Sequence, residues 1–193
     1  MILLINACVR AKSRTLRLAS HLISRHIELS GDEIKEVKLS DITFPVVDQD
    51  FLSRRDDALA RQDFSNPMFD LAKEFAAADT IVIAAPFWDM SFPAALKQYF
   101  EQICVTGITF SYTDTGAPKG LCKASKLYYV TTAGGLASTN EYGYGYVRAL
   151  ATDFYGIPET VIITAEGLDI EGADVESILK DAEKRCDLEV KNE

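Results

Sequence analysis

Basic residues are scarce in this sequence of 193 residues. Lys and Arg number 20 against 29 Asp and Glu, which gives a formal net charge of -9. Such a chain is poorly suited to nonspecific binding of nucleic acid or anionic lipid, because each phosphate contact needs a Lys or Arg. We therefore expect no nucleic-acid partner. Any bound phosphate is expected to be held locally, by backbone amides and one or two basic side chains.

Long apolar runs are also missing. No run approaches the roughly 20 residues that cross a bilayer, and the start Met1-Ile-Leu-Leu-Ile-Asn has no basic leader before its apolar stretch. We expect no membrane association and a cytoplasmic location. Hydrophobic residues make up 48% of the chain and charged residues 25%, the composition of one globular domain, which we expect to span residues 1–193.

Cysteine and histidine are few. The four cysteines form no Cys-x-x-Cys pair, and the two histidines, His21 and His26, stand five residues apart. These spacings predict no metal site and suit a reducing compartment. Cys8 follows the first predicted strand, where a helix N-terminus can activate a thiol. We favour its interpretation as a small buried hydrophobic residue.

Apolar runs of strand length alternate with stretches that carry a helical apolar stripe, which is typical of a parallel sheet with helices on both faces. The predicted strands are Ile2 to Ile5, Ile34 to Leu39, Thr80 to Ala85, Lys126 to Thr131 and Thr160 to Thr164. Predicted helical faces centre on Leu16 to Ile27, Leu96 to Ile103, Val147 to Phe154 and Val175 to Ala182. The fold class is therefore α/β, a doubly wound, five-stranded parallel sheet.

The segment from Ser40 to Pro67 is rich in charge and has little periodicity. It is predicted to be a long excursion after the second strand, with one helical turn around Leu52 to Leu59. Its length suggests a role in binding or oligomerisation.

A doubly wound sheet binds ligands outside the carboxyl ends of its strands, at the point where chain order reverses. The loop after the first strand contains Arg10, Ser13, Arg14 and Thr15. Ser13 is placed as the N-cap of the first helix, so that helix amides and the Ser13 and Thr15 hydroxyls can face an anion, with Arg10 or Arg14 supplying charge. An ordinary capped helix is an equal alternative. The loop lacks the glycine patterns of dinucleotide folds and P-loop NTPases.

Two further loops carry unusual residues. Pro86-Phe87-Trp88-Asp89-Met90 follows the third strand, where its aromatic side chains can stack on a planar heterocycle; packing inside the domain is the alternative. Thr132-Ala133-Gly134-Gly135 ends the fourth strand, and its glycines permit close backbone approach and positive φ. The three loops together supply what a flavin mononucleotide needs for its phosphate, ring face and pyrimidine edge.

The chain resembles bacterial FMN-dependent NADH azoreductases and quinone reductases, and the resemblance implies a flavodoxin-like fold with strand order 2-1-3-4-5. The likeness is densest in Ile81 to Met90, then in Leu-Lys-Gln-Tyr-Phe-Glu from Leu96, and in Gly-Ile-Thr-Phe-Ser-Tyr-Thr from Gly107. It implies that Ser13 and Thr15 bind the FMN phosphate, that Phe87 to Met90 lie along the isoalloxazine and that Thr132 to Gly135 meet its pyrimidine side. It also implies a homodimer with FMN at the interface, in which Tyr112 and the partner subunit's Phe154 wall the substrate pocket.

Several positions depart from the family pattern. Asp89 replaces the usual Asn, which places a carboxylate near the reactive edge and predicts a lower flavin potential if it faces the ring. Ala133 stands where many relatives carry Arg. Ala7 and Cys8 replace a serine-rich loop start, and Trp88 is bulkier than the usual Tyr.

The resemblance implies an enzyme that passes two electrons from NADH or NADPH to a quinone or azo compound by a ping-pong mechanism. Because the cofactor performs the chemistry, we nominate no catalytic residue. Three alternatives remain: an NAD(P)H-dependent FMN reductase, a flavodoxin-like electron carrier without its own NAD(P)H oxidation, and a flavin-free interaction module that keeps only the fold.

Overall fold

The computed structural model describes residues 1–137 and 139–191. Its main sheet has five parallel strands in the order β2-β1-β3-β6-β7. In chain order these are β1 (Ile2–Asn6), β2 (Ile34–Lys38), β3 (Thr80–Ala84), β6 (Lys126–Thr132) and β7 (Glu159–Ala165). All five strands were predicted to within one residue at each end, and with β6 and β7 counted as the fourth and fifth strands the predicted order is confirmed.

The helices cover both faces of this sheet. They are α1 (Arg14–Ser30), α2 (Gln49–Ala60), α3 (Asp70–Ala77), α4 (Ala94–Ile103), α5 (Tyr144–Ala149), which continues as a π-helical turn over Leu150–Tyr155, and α6 (Val175–Lys191). The central strands β1, β3 and β6 are buried along their whole length, as strands of a parallel sheet covered on both faces should be.

Alternate strand residues pack into two separate cores. Ile2 and Leu4 of β1 join α1 and α6 on one face, whereas Leu3 and Ile5 join α3, α4 and α5 on the other. This alternation follows from the two-residue period of a strand. Burial on both faces holds the sheet rigid, so the loops at its carboxyl edge are attached to fixed ends.

The excursion after β2 was predicted wrongly in one respect. Instead of one helical turn, it contains the twelve-residue helix α2, which Asp48 caps by accepting a hydrogen bond from the amide of Phe51. Phe51 and Ala58 are the buried residues of this helix, and they are too few to give a clear helical period in the sequence.

A second, two-stranded sheet was not predicted. It is an antiparallel hairpin of β4 (Phe110–Tyr112) and β5 (Pro118–Gly120). A Cβ added to Gly120 would lie 2.1 Å from the backbone of Tyr155 and Gly156. The hairpin is therefore seated directly on the end of the π-helical turn, and only glycine fits at this contact.

Candidate functional site

The carboxyl ends of β1, β3 and β6 lie side by side and hold three loops together. The strand ladder continues past the strands, because the amides of Ala7, Ala85 and Phe87 donate to carbonyls of the neighbouring strands at 2.9 to 3.0 Å. Between these loops is a cavity of about 360 Å³. Its lining residues are Cys8, Val9, Arg10, Lys12, Ser13, Arg14, Thr15, Pro86, Phe87, Trp88, Thr132, Ala133, Gly134, Leu168 and Asp169.

The amino end of α1 opens onto this cavity. Ser13 is in an extended conformation and its side chain accepts a hydrogen bond of 3.1 Å from the amide of Leu16, so it is the N-cap that the sequence predicts. None of the described residues accepts a hydrogen bond from the amides of Arg14 or Thr15. Unpaired amides at a helix N-terminus attract an anion through their hydrogen bonds and the helix dipole.

The three basic residues that line the cavity differ in their partners. Arg14 donates to Asp169 Oδ1 at 2.7 Å and to the Leu168 carbonyl oxygen at 3.2 Å. In the described part of the chain, Arg10 and Lys12 have no acceptor. Of the two arginines considered for an anion, Arg10 is therefore the one whose guanidinium is unpaired.

The hydroxyls of Thr15 and Thr132 lie 2.6 Å apart and are both buried. This contact joins the first turn of α1 to the last residue of β6. Since either hydroxyl can be the donor, one hydroxyl hydrogen of the pair remains free to face the cavity. The predicted role of Thr15 as a donor is thus shared with Thr132.

The aromatic loop after β3 is shaped by a tight turn. The amides of Trp88 and Ser91 donate to each other's carbonyl oxygens at 2.9 and 2.8 Å, and Asp89 and Met90 between them have φ of 50° and 63°. Asp and Asn tolerate this left-handed conformation better than most residues. Asp89 therefore satisfies the turn as the usual Asn would.

The turn divides the predicted aromatic segment into two parts. Pro86, Phe87 and Trp88 line the cavity, whereas Asp89 and Met90 are exposed and lie outside its lining. The structure thus places a proline and two aromatic residues in the same cavity as the amino end of α1.

The turn after β6 presents backbone to the cavity. Ala133 and Gly134 line it, and Gly135 does not. No described residue accepts from the amides of Gly134 and Gly135. The sequence suggested positive φ as one reason for glycine at these positions, but neither glycine has positive φ. A Cβ at Gly134 would lie 2.4 Å from Asp169 Oδ2, so a larger residue there would require the exposed Asp169 side chain to move.

The loop after β7 forms a fourth wall that sequence reasoning missed. The amides of Leu168 and Asp169 donate to the carbonyl oxygens of Ala133 and Gly134 at 3.2 and 2.8 Å. The signal available in the sequence was Gly167, with φ of 76°, placed directly after the fifth predicted strand at the same edge of the sheet.

Tyr112 and Phe154 lie outside the cavity lining. Both meet Phe110, with ring centroids 5.5 Å and 4.8 Å from it. Tyr112 is 57% exposed. In this chain they form an aromatic cluster with Phe110 at the hairpin, outside the cavity lining.

Cys8 is one of the lining residues, but it is buried. Its Sγ contacts the carbonyl oxygen of Ala84 at 3.6 Å, and burial raises the pKa of the thiol. These features agree with the interpretation as a small hydrophobic residue. Among the residues described, no cluster of three or more His, Cys, Asp or Glu is arranged to hold a metal. Over the same residues, no helix combines the length and apolarity that crossing a bilayer requires.

The fold and the cavity define a class: doubly wound α/β proteins that bind a ligand where the strand order reverses. A family model described as "Flavodoxin-like fold" matches residues 1–189. The chain belongs to this family.

Relatives with assigned names match over most of the chain. It is 36% identical over 186 residues to an FMN-dependent NADH:quinone oxidoreductase of Coprothermobacter proteolyticus, covering 91% of this chain and 90% of that one. A protein of the same name from Clostridium beijerinckii is 34% identical over 97% and 95% of the two chains. An FMN-dependent NADH:quinone oxidoreductase 2 of Clostridium acetobutylicum is 46% identical, in an alignment that spans 62% of each.

Solved structures of azoreductases are similar to this chain over nearly its whole length. An FMN-dependent NADH-azoreductase from Bacillus anthracis in complex with FMN superposes with a TM-score of 0.82 at 25% identity, covering 99% and 97% of the chains. Another azoreductase from the same species has a TM-score of 0.84 at 20% identity over 100% and 99%, which shows the shared fold. The family resemblance that the sequence carries is therefore confirmed.

Proposed function

We propose that this protein is an FMN-dependent oxidoreductase that passes two electrons from NADH or NADPH to quinones or azo compounds, with residues 1–193 acting as one FMN-binding domain. The observation that carries the proposal is the cavity lined both by Arg14 and Thr15, whose amides have no acceptor among the described residues, and by Phe87 and Trp88. The names of the relatives support the same activity.

The residues present suit each part of FMN. The unpaired amides of Arg14 and Thr15, with Ser13 and the unpaired Arg10, suit a phosphate held against the chain's net negative charge. Phe87 and Trp88 suit a flat apolar ring, since aromatic faces stack on heterocycles.

The pyrimidine edge of FMN carries carbonyl oxygens and ring nitrogens, which need donors. The amide of Gly134, which lines the cavity, can donate to them, and the carbonyl oxygens of Ala133 and Gly134 are already occupied by the loop after β7. Thr132 adds a hydroxyl at the same edge. The turn therefore presents donors to the ring with its own acceptors satisfied.

When bound, FMN supplies the two-electron chemistry. The protein's part would be to bind and orient: Pro86 and Phe87, which line the cavity, would pack against the ring, and the loops held by the strand ends would position it for the electron donor and acceptor. The expected scheme is ping-pong, in which NAD(P)H and the acceptor would bind in turn. No side chain of this chain is assigned a proton-transfer step.

The substrate pocket is completed by a second copy in this proposal. The exposed ring of Tyr112 and its neighbour Phe154 form an aromatic cluster at the hairpin, suited to wall a pocket for a planar acceptor across a homodimer interface. The composition suits a cytoplasmic enzyme acting on small molecules, without nucleic-acid or membrane partners.

The test uses the chain's one tryptophan, Trp88, as a probe. Adding FMN to the apoprotein is expected to quench the tryptophan emission to a saturating plateau, because Trp88 lines the cavity that would hold the flavin. The holoprotein should then oxidise NADH steadily with a simple quinone and no added reductase, giving parallel double-reciprocal plots. Absence of quenching by FMN would contradict the site.

The same assay separates the alternatives. An electron carrier would bind FMN yet fail to oxidise NADH without a reductase. An FMN reductase would oxidise NADH with free FMN as the acceptor and would lose its flavin on gel filtration. Retention of FMN through the column together with quinone reduction supports the proposal.

A further inference from the structure

The ion pair of Arg14 and Asp169 joins two walls of the cavity. Arg14 is the first residue of α1, and its Nη1 lies 2.7 Å from Asp169 Oδ1 on the loop after β7. Both residues line the cavity. Among the lining residues described, Asp169 is the one carboxylate, and it sits beside the end of α1 that suits a phosphate.

A carboxylate at this place opposes the proposed ligand. It repels a phosphate, and it also occupies a guanidinium that would otherwise be available to the phosphate. Arg10 and Lys12 have no acceptor among the described residues. The pairing therefore singles out Arg14 from the three basic residues of the lining.

The ion pair is not needed to hold the loop in place. The side chains of Arg14 and Asp169 are 41% and 69% exposed, and exposed pairs contribute little to stability. The loop is attached instead through the backbone, because the amide of Asp169 donates to the carbonyl oxygen of Gly134 at 2.8 Å. The charge of Asp169 can thus be removed while the backbone contact stays.

We propose that Asp169 holds the Arg14 guanidinium back from the phosphate of bound FMN, and so weakens FMN retention through the phosphate alone. Asp169 is a positioning residue in this inference: it acts on the ligand through Arg14. The inference rests on the proposed function, because it requires FMN in the cavity. It predicts that the wild-type affinity for FMN is lower than it would be if Arg14 were free to contact the phosphate.

The test compares FMN with riboflavin, which has the same ring and no phosphate. Dissociation constants of both ligands are measured through Trp88 emission for the wild type and for Asp169→Asn. The variant is expected to bind FMN about fivefold more tightly, the size of one partly exposed charged contact. Its affinity for riboflavin is expected to stay within about twofold, and the gain for FMN should shrink at high salt.

A double variant tests the route through Arg14. In Arg14→Gln/Asp169→Asn the gain in FMN affinity over Arg14→Gln alone is expected to shrink to the part that relief of direct repulsion supplies, because no guanidinium is left to release. Glu176→Gln is the matched control. Glu176 is an exposed carboxylate of α6 that lies outside the cavity lining and pairs with Arg17 of α1 at 2.9 Å. It should change neither dissociation constant.

Three results would overturn the inference: an unchanged FMN dissociation constant in Asp169→Asn, equal changes for FMN and riboflavin, or a gain in FMN affinity that is undiminished without Arg14. Failure of the wild type to bind either flavin would instead refute the proposed function. The two failures are thus distinguishable.

Discussion

The hydroxyl of Thr15 lies 2.6 Å from that of Thr132, across the base of the cavity. Thr15→Val removes one partner and leaves the buried Thr132 hydroxyl without its hydrogen bond, which costs about 1–3 kcal/mol. We expect a lower free energy of unfolding in urea and weaker FMN binding. Thr15→Ser keeps the hydroxyl and should behave nearly as the wild type. Wild-type stability in the valine variant would contradict this account.

The Asp89 carboxylate is exposed and outside the cavity lining. Its charge is therefore screened, and Asp89→Asn is expected to shift the flavin midpoint potential by less than about 10 mV. A spectroelectrochemical titration measures this. A clear rise in potential would show that the carboxylate faces the ring, as the comparison with the family suggested.

A second substitution at Asp89 tests the left-handed backbone conformation of the turn. Asp89 has φ of 50°, a conformation that a β-branched residue adopts only with strain. Asp89→Val is expected to lower the free energy of unfolding by about 1–2 kcal/mol, whereas Asp89→Asn should not. Equal thermal stability of the two variants would count against the turn.

Gly120 has no room for a side chain, since a Cβ would lie 2.1 Å from backbone atoms of Tyr155 and Gly156. Gly120→Ala should cost at least about 2 kcal/mol, because backbone cannot yield as a side chain does. Gly116→Ala in the same hairpin is the control: its Cβ meets nothing within 4 Å, although φ is 82°. Chemical denaturation of both variants should rank them in this order.

Cys122 is half-buried, and burial raises the pKa of its thiol to about 12. The thiolate fraction at pH 8 is then about one in ten thousand, so alkylation by iodoacetamide should be slow in the native protein and should rise with pH up to that pKa. Mass spectrometry of the peptide follows the reaction. Protein unfolded in guanidinium should react at the ordinary rate of a free thiol, and equally fast alkylation of native Cys122 would refute the prediction.

Long, strongly apolar elements could be predicted from the sequence. The strand at Thr80–Ala84 is fully buried, so its residues form an uninterrupted apolar run with a single interpretation. The eight residues of α3 and the three-residue strands of the hairpin were missed, because a short segment contains too few periods to distinguish a pattern. Their conformation is set by packing against α4 and the π-helical turn.

Some residues of the site could likewise be placed from the sequence, and others could not. Ser13, Phe87 and Gly134 could be placed at the cavity because a rule of the fold locates the ends of their strands. Asp169 could not be, since its place depends on how the loop after β7 bonds to Ala133 and Gly134. The position of Asp89 outside the lining results from a two-residue turn whose second residue, Met90, gives no sign of a left-handed conformation in the sequence.

The walls of the cavity come from residues between Cys8 and Asp169. Closing them brings together parts of the chain 117 residues apart at Thr15 and Thr132 and 155 residues apart at Arg14 and Asp169. Such distant contacts form late in folding, because the chain entropy lost on closing long loops is recovered only once the sheet is assembled. A ligand in this cavity therefore binds only the finished fold, and by mass action it stabilises the whole chain against unfolding and proteolysis.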